Sequence, residues 1–206
     1  MIGRPQTAFW RTLFTPGHDT ALLVPALTGW HLTGMTAFLG EGGPVAVNYT
    51  VEVDDAWQAK RGSIRGIAGG RRFFHSMERK EDGWTLDATP NGLADLTDLD
   101  FGFTPATNLL QLKRAALEEG ERAEFSVVWF DIGRKELVDL PQIYERRDEK
   151  HYWYESPTDG YEAMLEMDES GFVRVYPELW AMEEEPAMPD ELSDEELSSA
   201  LASSEE

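Results

Sequence analysis

Apolar and polar residues alternate with a period of two over most of this chain. The cleanest stretch is PVAVNYTVEV, where Val45, Val47, Tyr49, Val51 and Val53 share one parity and Ala46, Asn48, Thr50 and Glu52 the other. That pattern predicts a strand with one buried face. Just before it, GWHLTGMTAF places Trp30, Leu32 and Phe38 on one parity, and GEGG at 40–43 supplies the turn between the two strands. Further strands are predicted in KRGSIRGIA, RRFFHSME, GWTLDA, AEFSVVWFD, QIYERR and HYWYES, with turns at Gly69-Gly70 and Glu81-Asp82-Gly83. YEAMLEM and GFVRVYPELW close the series across the turn from Asp168 to Gly171. Around Asp148-Glu149-Lys150 the pattern predicts a hairpin in which Tyr144 and Arg146 meet Tyr152 and Tyr154. About a dozen short strands at close spacing imply a mainly β fold, an antiparallel sandwich, barrel or rolled sheet.

One segment changes period. In TNLLQLKRAALEEGE, Leu109, Leu112 and Ala116 recur at helical spacing, as do Leu110 and Leu117. Thr107 or Asn108 is the expected N-cap through a side-chain oxygen, and Gly120 the expected stop. Lys113 and Arg114 are expected together on the outer side of this single helix. The segment 183–206 is different again, polar and low in complexity, and its composition predicts a disordered acidic tail. A partner-docking helix over Leu192, Leu197 and Leu201 is the alternative there. The organisation expected is one domain over 1–182 followed by that tail.

Composition narrows the function. Residues with hydrophobic side chains make up 41% and aromatic ones 11%, enough for a core with apolar cavities in a chain of 206 residues. With no cysteine, disulfides, thiolate chemistry and cysteine-held metals are excluded. There are 39 acids against 18 bases, net −21, and ten of the acids lie in the last 24 residues without a base among them. Both the tail and the rest are acidic, which argues against nucleic acid or an anionic membrane surface as partner. The first nineteen residues lack the apolar run of a signal peptide, and nowhere is there a run of about eighteen apolar residues, so a cytoplasmic protein without a membrane span is expected.

Candidate chemistry is sparse. None of the four histidines sits in a metal-binding pattern such as HExxH, and GxSxG, the P-loop and GxGxxG are absent. No metal, no cofactor and no catalytic residue is assigned. His18 beside Asp19, after Pro16-Gly17, is a candidate orienting pair or a solvated turn. Asp98 and Asp100 are two residues apart on one strand face, directly before Gly102. Such a pair can bind a cation, hold sugar hydroxyls or act as acid and base; equally, it can cap the backbone of the turn and helix that follow.

The stretch DLDFGFTPATNLLQLKR resembles the signature of a bacterial family named "putative glycolipid-binding", which reads close to D-V-D-L-G-F-T-P-A-T-N. Gly102, Thr104, Pro105, Thr107 and Asn108 are its core in this chain. Other landmarks come in the same order: FWR at 9–11, PGHD, YTVEVDDAWQAKRGSIRG at 49–66, YERRDEKHYWYES at 144–156 and VRVYPELW at 173–180. The resemblance covers about residues 8–182. It implies a spiral β-roll, an antiparallel rolled sheet or half-barrel wrapped around a single helix, holding a small amphiphilic ligand such as a glycolipid on its concave apolar side. LLQLKR departs from the family's Leu-Pro-Ile-Arg-Arg, losing a proline and putting Lys113 in place of an arginine. Candidate ligand contacts are Trp30, Trp57, Asp98, Asp100, Lys113, Arg114, Tyr144, Tyr152 and Tyr154. Two readings stand beside this one. The first is a hydrolase or lyase on a sugar-containing substrate, using Asp98, Asp100 and His18. The second is a partner-binding protein that forms a homodimer.

Overall fold

In the computed structural model, which describes residues 4–183, the alternating segments form fifteen strands in one sheet. The acidic segment, Glu183 apart, lies outside the described residues. Eight strands come first as successive antiparallel hairpins: β1 (Gln6–Thr12), β2 (Gly17–Pro25), β3 (Trp30–Gly40), β4 (Gly43–Val53), β5 (Ala59–Ala68), β6 (Arg71–Lys80), β7 (Gly83–Leu86) and β8 (Thr89–Gly92). A short β9 (Leu99–Phe101) leads into α1 (Asn108–Ala115). A second meander follows: β10 (Arg122–Asp131), β11 (Glu136–Arg146), β12 (His151–Ser156), β13 (Tyr161–Met167), β14 (Val173–Tyr176) and β15 (Trp180–Met182).

The two meanders join through β1 and β15, which pair antiparallel with Trp10 opposite Met182 and Thr12 opposite Trp180. The sheet order is therefore β8 to β1, then β15 down to β9. β9 pairs parallel with β10, Leu99 opposite Val128, whereas all other neighbours are antiparallel. Parallel neighbours need a crossover, and α1 provides it.

The pleat follows the sequence pattern. Val47, Tyr49, Val51 and Val53 of β4 are buried, and the β11–β12 hairpin sets Tyr144 opposite Tyr154 and Arg146 opposite Tyr152, as expected. The sheet then curls until its far strands meet. Asn91 of β8 donates its side-chain amide to the Leu137 carbonyl of β11 at 2.9 Å, and the His75 ring of β6 lies 5.4 Å from Phe130 of β10. Inside the roll, Trp10, Tyr49, Ile64, Met77, Trp84, Phe101, Phe130 and Phe172 are fully buried around α1. Each such side chain contributes about 1.5–3 kcal/mol relative to exposure. Gly34 makes one close approach possible, because a Cβ there would stand 2.2 Å from the Tyr49 ring and hydroxyl.

The helix corrects three expectations. Thr107 occupies the N-cap with helical dihedrals and makes no capping bond through its side chain; its hydroxyl goes to Asp100 instead. The helix stops at Ala116, in the left-handed region with φ 47°, four residues before Gly120. Tertiary bonds decide this: Arg146 donates to the Leu117 carbonyl at 2.9 Å, and the Gly120 N–H donates to the Arg146 carbonyl at 2.7 Å. Arg114 is turned inward, away from Lys113, by an ion pair with Asp98.

Candidate functional site

β9 is buried on both faces, so Asp100 within it and Asp98 just before it are drawn out of water along with Leu99 and Phe101. Each is met by a different partner. Asp98 takes a bidentate pair from Arg114: Nε lies 2.8 and 2.9 Å from the two carboxylate oxygens, and Nη2 is 2.7 Å from Oδ2. The guanidinium also lies over the Phe125 ring, 5.1 Å from its centre. Burial raises the Asp98 pKa and Arg114 opposes it, burial winning. Asp100 accepts the Thr107 hydroxyl on one oxygen and the Gln142 amide, at 2.9 Å, on the other. Burial again holds its carboxyl above the usual range, against those hydrogen bonds. Beside it, the Tyr144 phenol accepts from Asn108 Nδ2 at 2.7 Å and can donate to Gln111 or Gln142, each 3.3 Å away.

A pocket of about 340 Å³ opens next to this network. One wall is the signature itself, with Asp100, Gly102, Thr104 and Asn108. Gly102 is required there, since a Cβ would lie 2.5 Å from the Trp129 indole nitrogen, another lining group. The opposite wall is aromatic. Tyr154 and Tyr161 each lie 5.7 Å from Tyr176, whose ring is 5.4 Å from Trp180. Ser156 donates to Asp159 at 2.9 Å on the same lining. The indole N–H of Trp180 is buried and has no hydrogen-bond partner.

Behind Thr104 lies a polar chain reaching back into the first meander. Thr104 Oγ1 accepts the Ala106 N–H and is 3.0 Å from the Tyr49 hydroxyl, which donates to Asp19 Oδ1 at 2.9 Å. Asp19 is 1% exposed, its second oxygen is unpartnered, and burial pushes its pKa up to about 7 despite the bonds from Thr104 and Tyr49. The pairing of His18 with Asp19 does not form. Neighbours on a strand point to opposite faces, and exposed His18 stacks on Phe9 at 5.2 Å instead.

Of the residues singled out from the sequence, Asp100, Tyr154, Gly102, Thr104 and Asn108 come together at the pocket. Tyr144 stands one contact behind through Asn108, and Thr107 behind through Asp100; Pro105 is buried beside them. Trp30 and Trp57 stack on each other at 5.1 Å and do not line it. Lys113 and Tyr152 line a different cavity. Sequence reasoning missed Tyr49, Gln111, Gln142 and Trp180 as site residues, and named Asp19 only as a partner for His18. Two signals were on the page: Asp19 ends PGHD and Trp180 ends VRVYPELW.

The sequence model of a family described as "Putative glycolipid-binding" matches residues 7–182. The chain belongs to that family. A crystal structure of a DUF1089 family protein from Pseudomonas aeruginosa shares the fold, with a TM-score of 0.62 at 22% identity, over 88% of this chain and 93% of that one. No curated protein matches the chain. The pocket sets aromatic faces on one side against carboxylate, amide and hydroxyl groups on the other. Among the described residues no helix is long and apolar enough to cross a membrane, and no group of three or more histidines and carboxylates is placed to hold a metal.

Proposed function

We propose that the pocket between the signature and the Tyr154–Trp180 wall holds the hydroxylated head of a glycolipid or comparable amphiphile, without chemistry. The unpartnered, buried indole N–H of Trp180 carries this reading. A buried donor without an acceptor costs about 1–3 kcal/mol, a cost that a ligand oxygen would remove. The volume of about 340 Å³ sits at the small end for ligand sites, suiting a head group rather than a whole lipid. Beyond Trp180, Phe14 packs edge-on at 5.8 Å and remains 54% exposed next to exposed Leu13, an apolar lip on which an alkyl chain can lie.

The hydrolase or lyase reading needs two carboxylates with free oxygens in one cavity. Asp98 is engaged by Arg114, and both Asp100 oxygens hold protein donors. That geometry favours recognition over acid–base chemistry. Native mass spectrometry of freshly purified protein tests the proposal. A stoichiometric lipid adduct that Trp180→Phe weakens is the expected result. Protein that is always empty, and that ignores added glycolipids, would end it.

A further inference from the structure

A second cavity, of about 650 Å³, lies at the C-terminal end of α1 and shares no lining residue with the first. Its apolar wall is built from Leu109, Leu112, Leu117 and Met167. Around them stand Lys113, Arg146 and Lys150, three of the 18 bases of a chain that carries 39 acids. Bases so outnumbered normally find carboxylates, and most of the arginines here do. These three have none within 4 Å among the described residues. The Arg146 guanidinium donates to the carbonyls of Leu117 and Asp148 and lies 5.9 Å from the centre of the Tyr152 ring, a fourth side of the cavity.

Lys113 reaches across to the turn that faces it. Gly171, at φ +93°, forms the facing turn, and a Cβ there would stand 3.2 Å from both Lys113 Cε and Nζ. Acids are present as well: Glu149, Asp168 and Glu169 also line the cavity. Asp168 is occupied by the turn it closes, accepting from the Ser170 N–H and hydroxyl and the Phe172 N–H. Glu149 and Glu169 are exposed, as Lys113 and Lys150 are, so all four side chains have room to turn. The negative end of α1 opposes an anion here, so a single cation would not suffice; three line the cavity, beside three acids of which Asp168 is already engaged.

We propose that this cavity is a second binding site, for the anionic end of an amphiphile, a carboxylate or phosphate monoester carried on an alkyl chain. Apolar side chains take the first methylenes, while Lys113 and Lys150 meet the charge and Arg146 stacks on Tyr152 beneath it. The inference is independent of the pocket by the signature.

Isothermal titration at pH 8 with dodecanoate, dodecyl phosphate, dodecan-1-ol and inorganic phosphate tests it. The expected result is binding of one or both anionic amphiphiles, weakened about five- to tenfold in the double variant K113Q/K150Q and by raised salt. Dodecanoate and dodecyl phosphate tell the two head groups apart, and inorganic phosphate tells a free anion from a chain-bearing one. Trp180→Phe is expected to leave this binding unchanged, which separates its failure from that of the first pocket. Dodecan-1-ol binding as tightly as dodecanoate would overturn the proposal, as would inorganic phosphate binding as well as dodecyl phosphate. Full affinity retained by the double variant, or no binding of either anionic amphiphile, would overturn it equally.

Discussion

Replacing Asp19 by Asn tests whether the roll holds a buried proton. The carboxyl is 1% exposed, and its pKa rises from an ordinary 3.8 to about 7 because burial disfavours the charge. A carboxyl that binds its proton more tightly when folded stabilises the fold fully below pH 3.8, and that contribution is lost as pH climbs to about 7. Roughly three pKa units correspond to about 4 kcal/mol. Asn keeps the acceptor for Tyr49 but does not titrate. It also places an N–H₂ where the second oxygen had no partner, a constant cost of about 1–3 kcal/mol at every pH. Only the slope is therefore diagnostic. Urea denaturation of both proteins from pH 4 to pH 8 should show Asp19→Asn gaining about 4 kcal/mol on the wild type across that range. All other titrating groups cancel in the difference. A difference that stays flat to within about 1 kcal/mol would refute the reasoning, and would mean that Asp19 ionises inside the fold at little cost.

Other consequences are as direct. Arg114→Ala leaves Asp98 buried without its counter-charge and should cost about 3 kcal/mol in urea denaturation. Arg114→Lys keeps the charge, loses the fork and should cost less. Gly34→Ala drives a methyl into the Tyr49 ring and the β2 backbone, so a loss of about 3 kcal/mol or failure to fold is expected in thermal melts followed by near-ultraviolet circular dichroism. Tyr144→Phe strips the acceptor from Asn108 and should cost about 1–3 kcal/mol by the same denaturation.

Much of the sheet was legible because a strand needs only its own alternation. β4 and the β11–β12 hairpin announce themselves in Val45–Val53 and in the spacing of Tyr144 from Tyr154. The helix was legible in kind but not in its ends. A cap is a local preference, and here Thr107 and Gly120 are claimed by Asp100 and Arg146, partners that the helical pattern does not contain. Partner choice among the rings was illegible for the same reason. Trp30 and Trp57 looked like pocket walls and pair with each other, while Trp180 reaches the pocket only because β15 docks on β1. Asp98 and Asp100 share a strand parity, yet Arg114 separates their roles, which no spacing rule anticipates.

The pairing of β1 with β15 has a consequence for how the molecule is made. A ribosome delivers β1 first and β15 about 170 residues later. Until then one flank of β1 is an unclosed row of backbone donors and acceptors, the kind of edge that invites other chains. Trp10 meanwhile waits for the Val173 carbonyl, 163 residues away, to which its indole donates. Contacts of such separation slow folding. The seam at the centre of the finished sheet is thus its last to close, and β1, an inner strand once folding is complete, keeps an open edge longest during synthesis.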